Sequence, residues 1–135
     1  MKNLFFLAAV LFISTTLHAQ SDYKVVFDLT SKDSLDQRVV VRWVNEVAHA
    51  SADAKVEVVM YGQGFNLVKN NSAYAEAVTK LAENKNVSFK VCAVALKSNN
   101  VDKSQLLPCV EVVPDGIYEI ISKQRQGWGY IKAVH

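Results

Sequence analysis

Four segments of the chain combine apolar, β-branched and aromatic residues in short runs that polar or turn residues bound on both sides. Runs of this composition and length are typical of strands in a sheet that is covered on its faces. They predict strands at Tyr23–Leu29, Lys55–Tyr61, Val87–Val91 (ending at Cys92) and Val110–Val113.

Between these runs the apolar positions change to the helical period. From Ser34 they recur in steps of three and four as far as Ala48, which predicts an amphipathic helix with one buried face. Three further helical segments are predicted. Ser72 is the N-cap of a helix through Leu81, and Asp102 caps a short helical turn through Leu107 that Pro108 ends. Pro114-Asp115-Gly116 opens a helix through Ile121, and Gly127 ends it.

This alternation of strands and helices predicts an α/β fold: a mainly parallel sheet with right-handed crossovers and helices on both faces. In such sheets, ligands and chemistry gather beyond the carboxyl ends of the strands. The segments that the predicted order places there are Thr30-Ser31, Gly62-Gln63-Gly64, Cys92-Ala93 and Pro114-Asp115-Gly116.

The first 20 residues form a different kind of segment. Lys2 precedes an uninterrupted apolar run, Leu4–Ile13, and small residues follow near Ala19 and Gln20, which is the pattern of a cleaved secretory signal peptide. A membrane span needs about 20 apolar residues, so an uncleaved anchor is the less favoured alternative. We therefore expect residues 1–20 to be a signal peptide and residues 21–135 to form one domain, periplasmic or otherwise extracytoplasmic, with no membrane span after cleavage.

Charge and composition exclude several classes of partner. Without Lys2, 14 Lys and Arg stand against 13 Asp and Glu, and the two signs are interspersed. This balance gives no reason to expect nucleic acid as a partner. The three histidines have no metal-ligand spacing, and Gly62-Gln63-Gly64 lacks the third glycine of a dinucleotide-binding fingerprint. The sequence predicts neither a metal nor a cofactor.

Cys92 is the one obvious reactive group at the predicted carboxyl edge. Backbone N–H groups of a following turn stabilise a thiolate in that position, and Lys97 could add positive charge. The structural alternative is a buried cysteine that packs as a small apolar side chain. Asp28 and Asp115 could lie near it, although acidic residues at strand ends commonly cap helices.

The two cysteines are expected not to pair within one subunit. Cys92 follows the third strand and Cys109 precedes the fourth, so parallel strands place them at opposite edges of the sheet. A strand of four or five residues separates them by roughly 13–16 Å, whereas a disulfide needs Cα atoms within about 7 Å. The aromatic end of the chain, Trp128 and Tyr130, is expected in the core or at a subunit interface.

Several segments together resemble the DsrE/DsrF-like family over nearly the whole chain after residue 20. The resemblance is carried by residues Gly62-Gln63-Gly64, Ser72–Ala75, Val91-Cys92-Ala93, Leu96-Lys97, Leu106-Leu107-Pro108, Val110–Pro114, Gly116, Gln124, Gly127-Trp128 and Tyr130-Ile131. It implies a three-layer α/β/α sandwich, assembly into trimers or hexamers, and, at Cys92, the position of the cysteine that carries sulfur as a persulfide in sulfur-relay members. Two residues depart from the pattern: Tyr61 stands where many relatives have histidine, and Cys109 where glycine is common.

Two functions remain open on these grounds. The first is sulfur handling through a Cys92 persulfide, with a sulfur-donor or sulfur-acceptor protein as partner. The second is a non-catalytic oligomeric module that binds a small ligand or a protein segment at the strand ends. The candidate pocket residues are the same in both cases: Gly62, Gln63, Gly64, Ala93, Lys97, Pro114, Asp115 and Gly116.

Overall fold

A computed structural model describes residues 23–134. They form a sheet in which every pairing is parallel, in the order β4-β3-β2-β1-β5. The strands are β1 (Lys24–Leu29), β2 (Lys55–Met60), β3 (Val87–Cys92), β4 (Val110–Val113) and β5 (Gly129–Lys132). The helices are α1 (Ser34–Ala50), α2 (Ala75–Ala82), α3 (Ala93–Ser98) and α4 (Gly116–Arg125), with 3₁₀ turns at Gly64–Val68 and Lys103–Gln105. The predicted three-layer α/β architecture is confirmed.

The fifth strand was missing from the prediction. Gly129–Lys132 leaves the end of α4 and pairs in parallel with β1, from Val25 beside Gly129 to Asp28 beside Lys132. Its four residues are all exposed, so no apolar run distinguished them from a tail. Tyr130 therefore lies in an edge strand of the sheet rather than in the main core.

One face of the sheet carries most of the apolar core. Side chains such as Phe27, Met60 and Phe89 are fully buried there beneath α1 and α2. Trp43 of α1 stacks on Phe27 with ring centroids 6.0 Å apart. Burying one such side chain contributes about 1.5–3 kcal/mol, and most of the large buried apolar side chains are on this face.

The opposite face is more polar and packs against α4. Ile120 of α4 contacts Val26 and Val59 in a small second cluster. Because side chains alternate across a strand, the neighbouring positions on this same face include Asp28, Glu57 and Cys92. The candidate chemistry therefore lies under one helix, away from the main core.

Most predicted element ends are confirmed. Asp102 forms a capping box with Gln105, the Asp115 carboxylate accepts the Ile117 N–H at 2.8 Å, and Gly127 ends α4 at φ +84°. The prediction of Ser72 as an N-cap was wrong. Its hydroxyl accepts the Tyr74 N–H at 3.1 Å in a turn, and α2 starts only at Ala75.

The parallel arrangement separates the two cysteines as expected. Phe89 pairs with Val110 and Cys92 with Val113, so Cys109 lies level with the start of β3. Four residues of strand correspond to about 13 Å, and both cysteines are free thiols. The predicted signal peptide lies outside the described residues. Among residues 23–134 no helix has the length and apolar character that a membrane crossing requires.

Candidate functional site

The carboxyl edge of the sheet brings Cys92, Tyr61 and Gly116 together. A Cβ atom built on Gly116 would lie 3.3 Å from the Cβ of Cys92, 3.3 Å from the Cβ of Tyr61 and 3.3 Å from Cγ1 of Val59. These contacts are tighter than side chains normally make. Glycine at position 116 therefore allows the first turn of α4 to approach the strand ends closely.

Cys92 is the last residue of β3 and the N-cap residue of α3. Its side chain is only 5% exposed. Cys92 thus takes the N-cap position of α3, but its thiol accepts no capping hydrogen bond from the backbone of that helix. Ala93, the first residue of α3, is half-buried. Lys97 lies exposed in the last turn, about 7 Å along the helix axis from Cys92.

The Gly62-Gln63-Gly64 loop ties the end of β2 to the end of β1. The Gln63 N–H bonds to the Thr30 carbonyl at 3.0 Å, and Gly62 has φ +56°. A Cβ on Gly64 would overlap the Leu29 carbonyl oxygen, so only glycine fits there. The loop thus has a structural reason for both glycines, and it fixes the residue before it, Tyr61, beside Cys92.

The third predicted segment, Pro114-Asp115-Gly116, starts α4. The carboxylate of Asp115 is used as the helix cap, since it accepts the Ile117 N–H. Asp115 is therefore a structural residue that sets the position of Gly116 against Cys92.

A buried carboxylate lies on the same face. The carboxyl of Asp28 is 2% exposed, and its Oδ2 atom accepts the hydroxyls of Tyr130 at 2.6 Å and Tyr61 at 3.1 Å. Its Oδ1 atom is buried without a hydrogen-bond partner. Burial and the charge of Asp28 raise the pKa of Tyr61 to about 12. The hydrogen bond to Asp28, together with burial, raises the pKa of Tyr130 to about 12. Both tyrosines are thus neutral hydroxyl donors to Asp28.

Comparison with known proteins identifies the group to which this arrangement belongs. Residues 24–133 match the model of the DsrE/DsrF-like family. The chain belongs to the DsrE/DsrF-like family. The match spans every strand and helix described above.

A solved structure supports this membership in the DsrE/DsrF-like family. A protein of unknown function from Methanobacterium thermoautotrophicum is similar to this chain with a TM-score of 0.70 and 32% sequence identity. The likeness covers 82% of this chain and 99% of that one. No curated protein matches the chain.

The sheet face that packs against α4 also carries a buried ionic cluster. Glu57, 1% exposed, accepts contacts from Lys123 at 3.0 Å and Lys90 at 3.2 Å. Lys90 also lies 3.1 Å from Glu119. Ser88 donates to Glu57 at 3.3 Å, while Oε1 of Glu57 has no hydrogen-bond partner.

The pKa values in this cluster follow from burial and pairing. Burial, helped by a hydrogen bond with Glu119, raises the pKa of Glu57. Burial also raises the pKa of Glu119, but the hydrogen bond with Glu57 and the charge of Lys90 outweigh it and lower the value. For Lys90, burial acts downward, whereas attraction to Glu57 and Glu119 raises the pKa. Glu57 therefore binds a proton more readily than an ordinary glutamate does, and Glu119 binds one less readily.

The sequence did not indicate that Tyr61, Tyr130 and the ionic cluster lie together on the sheet face that packs against α4. One signal could have found part of them. Asp28, Glu57 and Lys90 are charged residues inside predicted strands of a sheet with helices on both faces, and buried charges need partners. Among residues 23–134, no group of histidine, cysteine and acidic side chains has an arrangement that could hold a metal ion.

Proposed function

We propose that this protein handles sulfur through a persulfide on Cys92. The observation that supports the proposal is the location of Cys92: the last residue of β3, at the carboxyl edge of a parallel sheet, in a chain of the DsrE/DsrF-like family. Cys92 matches the position of the sulfur-carrying cysteine in the relay members that the chain resembles. Sulfur transfer requires the thiolate form of this cysteine.

The proposed step is a thiol–disulfide exchange with a persulfide donor, R–S–S–H. The Cys92 thiolate attacks the terminal sulfur of the donor, and a new S–S bond forms on Cys92. The donor S–S bond breaks, its electron pair leaves on the thiolate R–S⁻, and the terminal sulfur keeps its proton. An acceptor thiolate then attacks that same terminal sulfur, and Cys92 leaves as the thiolate. No net oxidation or reduction takes place over the two steps.

The burial of Cys92 limits which donors can react. With the side chain 5% exposed, a small persulfide or polysulfide fits the approach better than the active site of a folded protein. Transfer to a protein acceptor then requires the acceptor to present its cysteine on a protruding segment. The small donor is accordingly the reagent with which the proposal is best tested.

Mass spectrometry after incubation with inorganic polysulfide tests the sulfur step. We expect the wild-type chain to gain one sulfur atom on the peptide that contains Cys92, and treatment with a thiol to remove it. Cys92→Ser should abolish the gain. Cys109→Ser is the matched control, because Cys109 lies at the opposite edge of the sheet and should not be needed. A sulfur adduct on Cys109 alone, or on neither cysteine of the folded protein, would contradict the proposal.

The second function, a non-catalytic binding module, is favoured by one observation, the nearly complete burial of Cys92. It predicts that Cys92→Ser leaves binding of any partner or ligand unchanged. Transfer of sulfur from polysulfide-treated protein to an added small thiol separates the two, because Cys92→Ser abolishes that transfer if Cys92 carries the sulfur.

Export through a cleaved signal peptide is part of the proposal. It rests on the pattern of residues 1–20 described from the sequence. N-terminal sequencing of the protein recovered from the cell envelope should begin at Gln20 or Ser21. Recovery of the intact N-terminus from the cytoplasm would exclude export.

A further inference from the structure

A groove separates α1 from α2 on the face of the sheet opposite Cys92. Its volume is about 680 Å³, within the range of about 300–1,000 Å³ that is usual for small-molecule sites. The Tyr74 hydroxyl donates to the Ser34 carbonyl at 3.0 Å and holds the starts of the two helices together. Beyond that contact the groove is open between the facing sides of the helices. It is called the α1/α2 groove below.

The floor of the α1/α2 groove is apolar. Val41 and Ala48 contribute from α1, and Ala77 and Leu81 from α2, and all four side chains are half-buried. Val41 and Ala48 are seven residues apart, so the floor extends for about 10 Å along the helix. This surface suits an extended hydrocarbon chain.

The rim of the groove is cationic. Arg38 and Arg42 lie one helical turn apart on α1, and Lys80 faces them from α2. All three side chains are exposed. Among residues 23–134, none of the three takes part in a hydrogen bond or ion pair of its side chain. One acidic residue, Glu83, also lines the groove, so three fixed positive charges stand against one negative charge.

Like charges one turn apart on a helix repel one another, so Arg38 and Arg42 gain from an anion that lies between them. A guanidinium presents paired donors that match the two oxygens of a carboxylate. An apolar floor beneath such donors favours a ligand that has a hydrocarbon chain and an anionic head.

We propose that the α1/α2 groove binds an aliphatic carboxylate. The carboxylate lies on Arg38, Arg42 and Lys80, and the hydrocarbon chain covers Val41 and Leu81. The site is separate from Cys92, whose side chain is on the α4 face, and the binding does not depend on sulfur chemistry.

Titration of the ¹⁵N-labelled protein with decanoate, kept below its micelle concentration, tests the proposal. We expect saturable shifts of backbone amide signals concentrated in α1 and α2. Decyltrimethylammonium has the same chain with a cationic head, and we expect it to bind about tenfold more weakly or not at all, since the charged hydrogen bonds are lost. Acetate, which lacks the chain, should produce no saturable shift.

A double variant, Arg38→Gln with Arg42→Gln, should weaken decanoate binding by about tenfold, for the same reason. Both side chains are exposed, so the substitutions remove charge without disturbing the core. Arg125→Gln is the matched control, because this exposed arginine lies at the end of α4 on the other face. It should leave the affinity unchanged.

Three results would overturn the proposal. Equal affinity for decanoate and decyltrimethylammonium would show an unselective apolar surface. Shifts located away from α1 and α2 would place the site elsewhere. Shifts of the groove signals on dilution, with no response to decanoate, would show that a second copy of the chain occupies the groove.

Discussion

Gly116 and Cys92 are in such close contact that a methyl group on the glycine would lie 3.3 Å from the Cβ of the cysteine. The contact joins the first turn of α4 to the end of β3. The packing of α4 and the space around the Cys92 side chain therefore depend on the same atoms.

Gly116→Ala should destabilise the protein and slow the alkylation of Cys92. The added methyl group meets Cys92, Tyr61 and Val59 at once, and such overpacking typically costs about 1–3 kcal/mol. Urea unfolding and the rate of reaction with iodoacetamide measure the two effects. The control is Gly129→Ala, since a Cβ there has only an ordinary contact, 3.5 Å from the Lys24 carbonyl oxygen. Unchanged stability and alkylation in Gly116→Ala would show that the space beside Cys92 is wider than described.

The hydrogen bonds of Asp28 should make the fold sensitive to alkali. The fold raises the pKa of Tyr61 and Tyr130 from 10.0 to about 12, so it favours their neutral forms. Their contribution to stability is fully present below pH 10 and is lost as the pH rises to about 12. The raised pKa of Lys90 acts in the same direction.

Urea unfolding on either side of pH 10 checks this dependence. Tyr61→Phe should lower stability below pH 10 by about 1–2 kcal/mol, because one donor to a charged, buried acceptor is lost. The same variant should lose less stability than wild type on going to higher pH. Tyr23→Phe is the control, since that side chain is 48% exposed. If stability falls above pH 10 to the same extent in Tyr61→Phe and wild type, the Tyr61 hydroxyl does not donate a hydrogen bond to Asp28.

Removal of Lys90 should lower the stability of the protein, because the buried carboxylate of Glu57 then has one cationic partner fewer. In Lys90→Met, the carboxylate of Glu57 keeps Lys123 but loses its contact at 3.2 Å. Removing one partner of a buried ion pair costs about 3 kcal/mol. We expect a loss of that order at neutral pH, measured by urea unfolding.

The loss in Lys90→Met should shrink toward pH 4.5, the ordinary value for glutamate. A carboxyl whose pKa is raised by the fold destabilises the protein above that pKa and no longer does so once it is protonated. Lys97→Met provides the comparison, because Lys97 is exposed in the last turn of α3. A pH-independent loss would argue against a charged Glu57 in the native state.

The family resemblance implies assembly into a trimer or hexamer, and we expect the apolar outer side of α4 to form the contact between subunits. Ile117, Tyr118 and Ile121 are 47%, 73% and 43% exposed on adjacent turns. Light scattering should give a mass above that of the monomer. Tyr118→Glu should weaken the assembly by about 2 kcal/mol, or about thirtyfold in Kd. Leu35→Glu, on α1, tests whether any exposed apolar residue has this effect. A wild-type monomer at micromolar concentration would remove the prediction.

The sequence predicted the elements that have strong patterns. The long apolar period from Ser34 gave α1, and the β-branched runs gave four of the strands at nearly their observed ends. It did not predict β5, whose four residues include Gly129 and are exposed along their length. A strand of this kind is fixed by its neighbour β1 and leaves almost no local signal.

The sequence predicted only those parts of the site whose position follows from the end of a strand. Cys92 and Gly116 come directly from the ends of strands, and the structure brings them together. The Tyr130–Asp28 hydrogen bond joins residues that are 102 positions apart, and no short-range pattern encodes such a pair. Lys97 was considered as a charge near Cys92 because the two are close in sequence, but it lies at the far end of α3.

The position of β5 in the sheet also determines when the edge of the sheet beside β1 can form during folding. Within residues 23–134, β1 is the first strand and β5 the last, and the two lie side by side. Until β5 has paired, β1 has a free edge and Asp28 lacks its shortest hydrogen bond, the one from Tyr130. One side of the sheet therefore stays open during folding until Gly129–Lys132 has paired with β1.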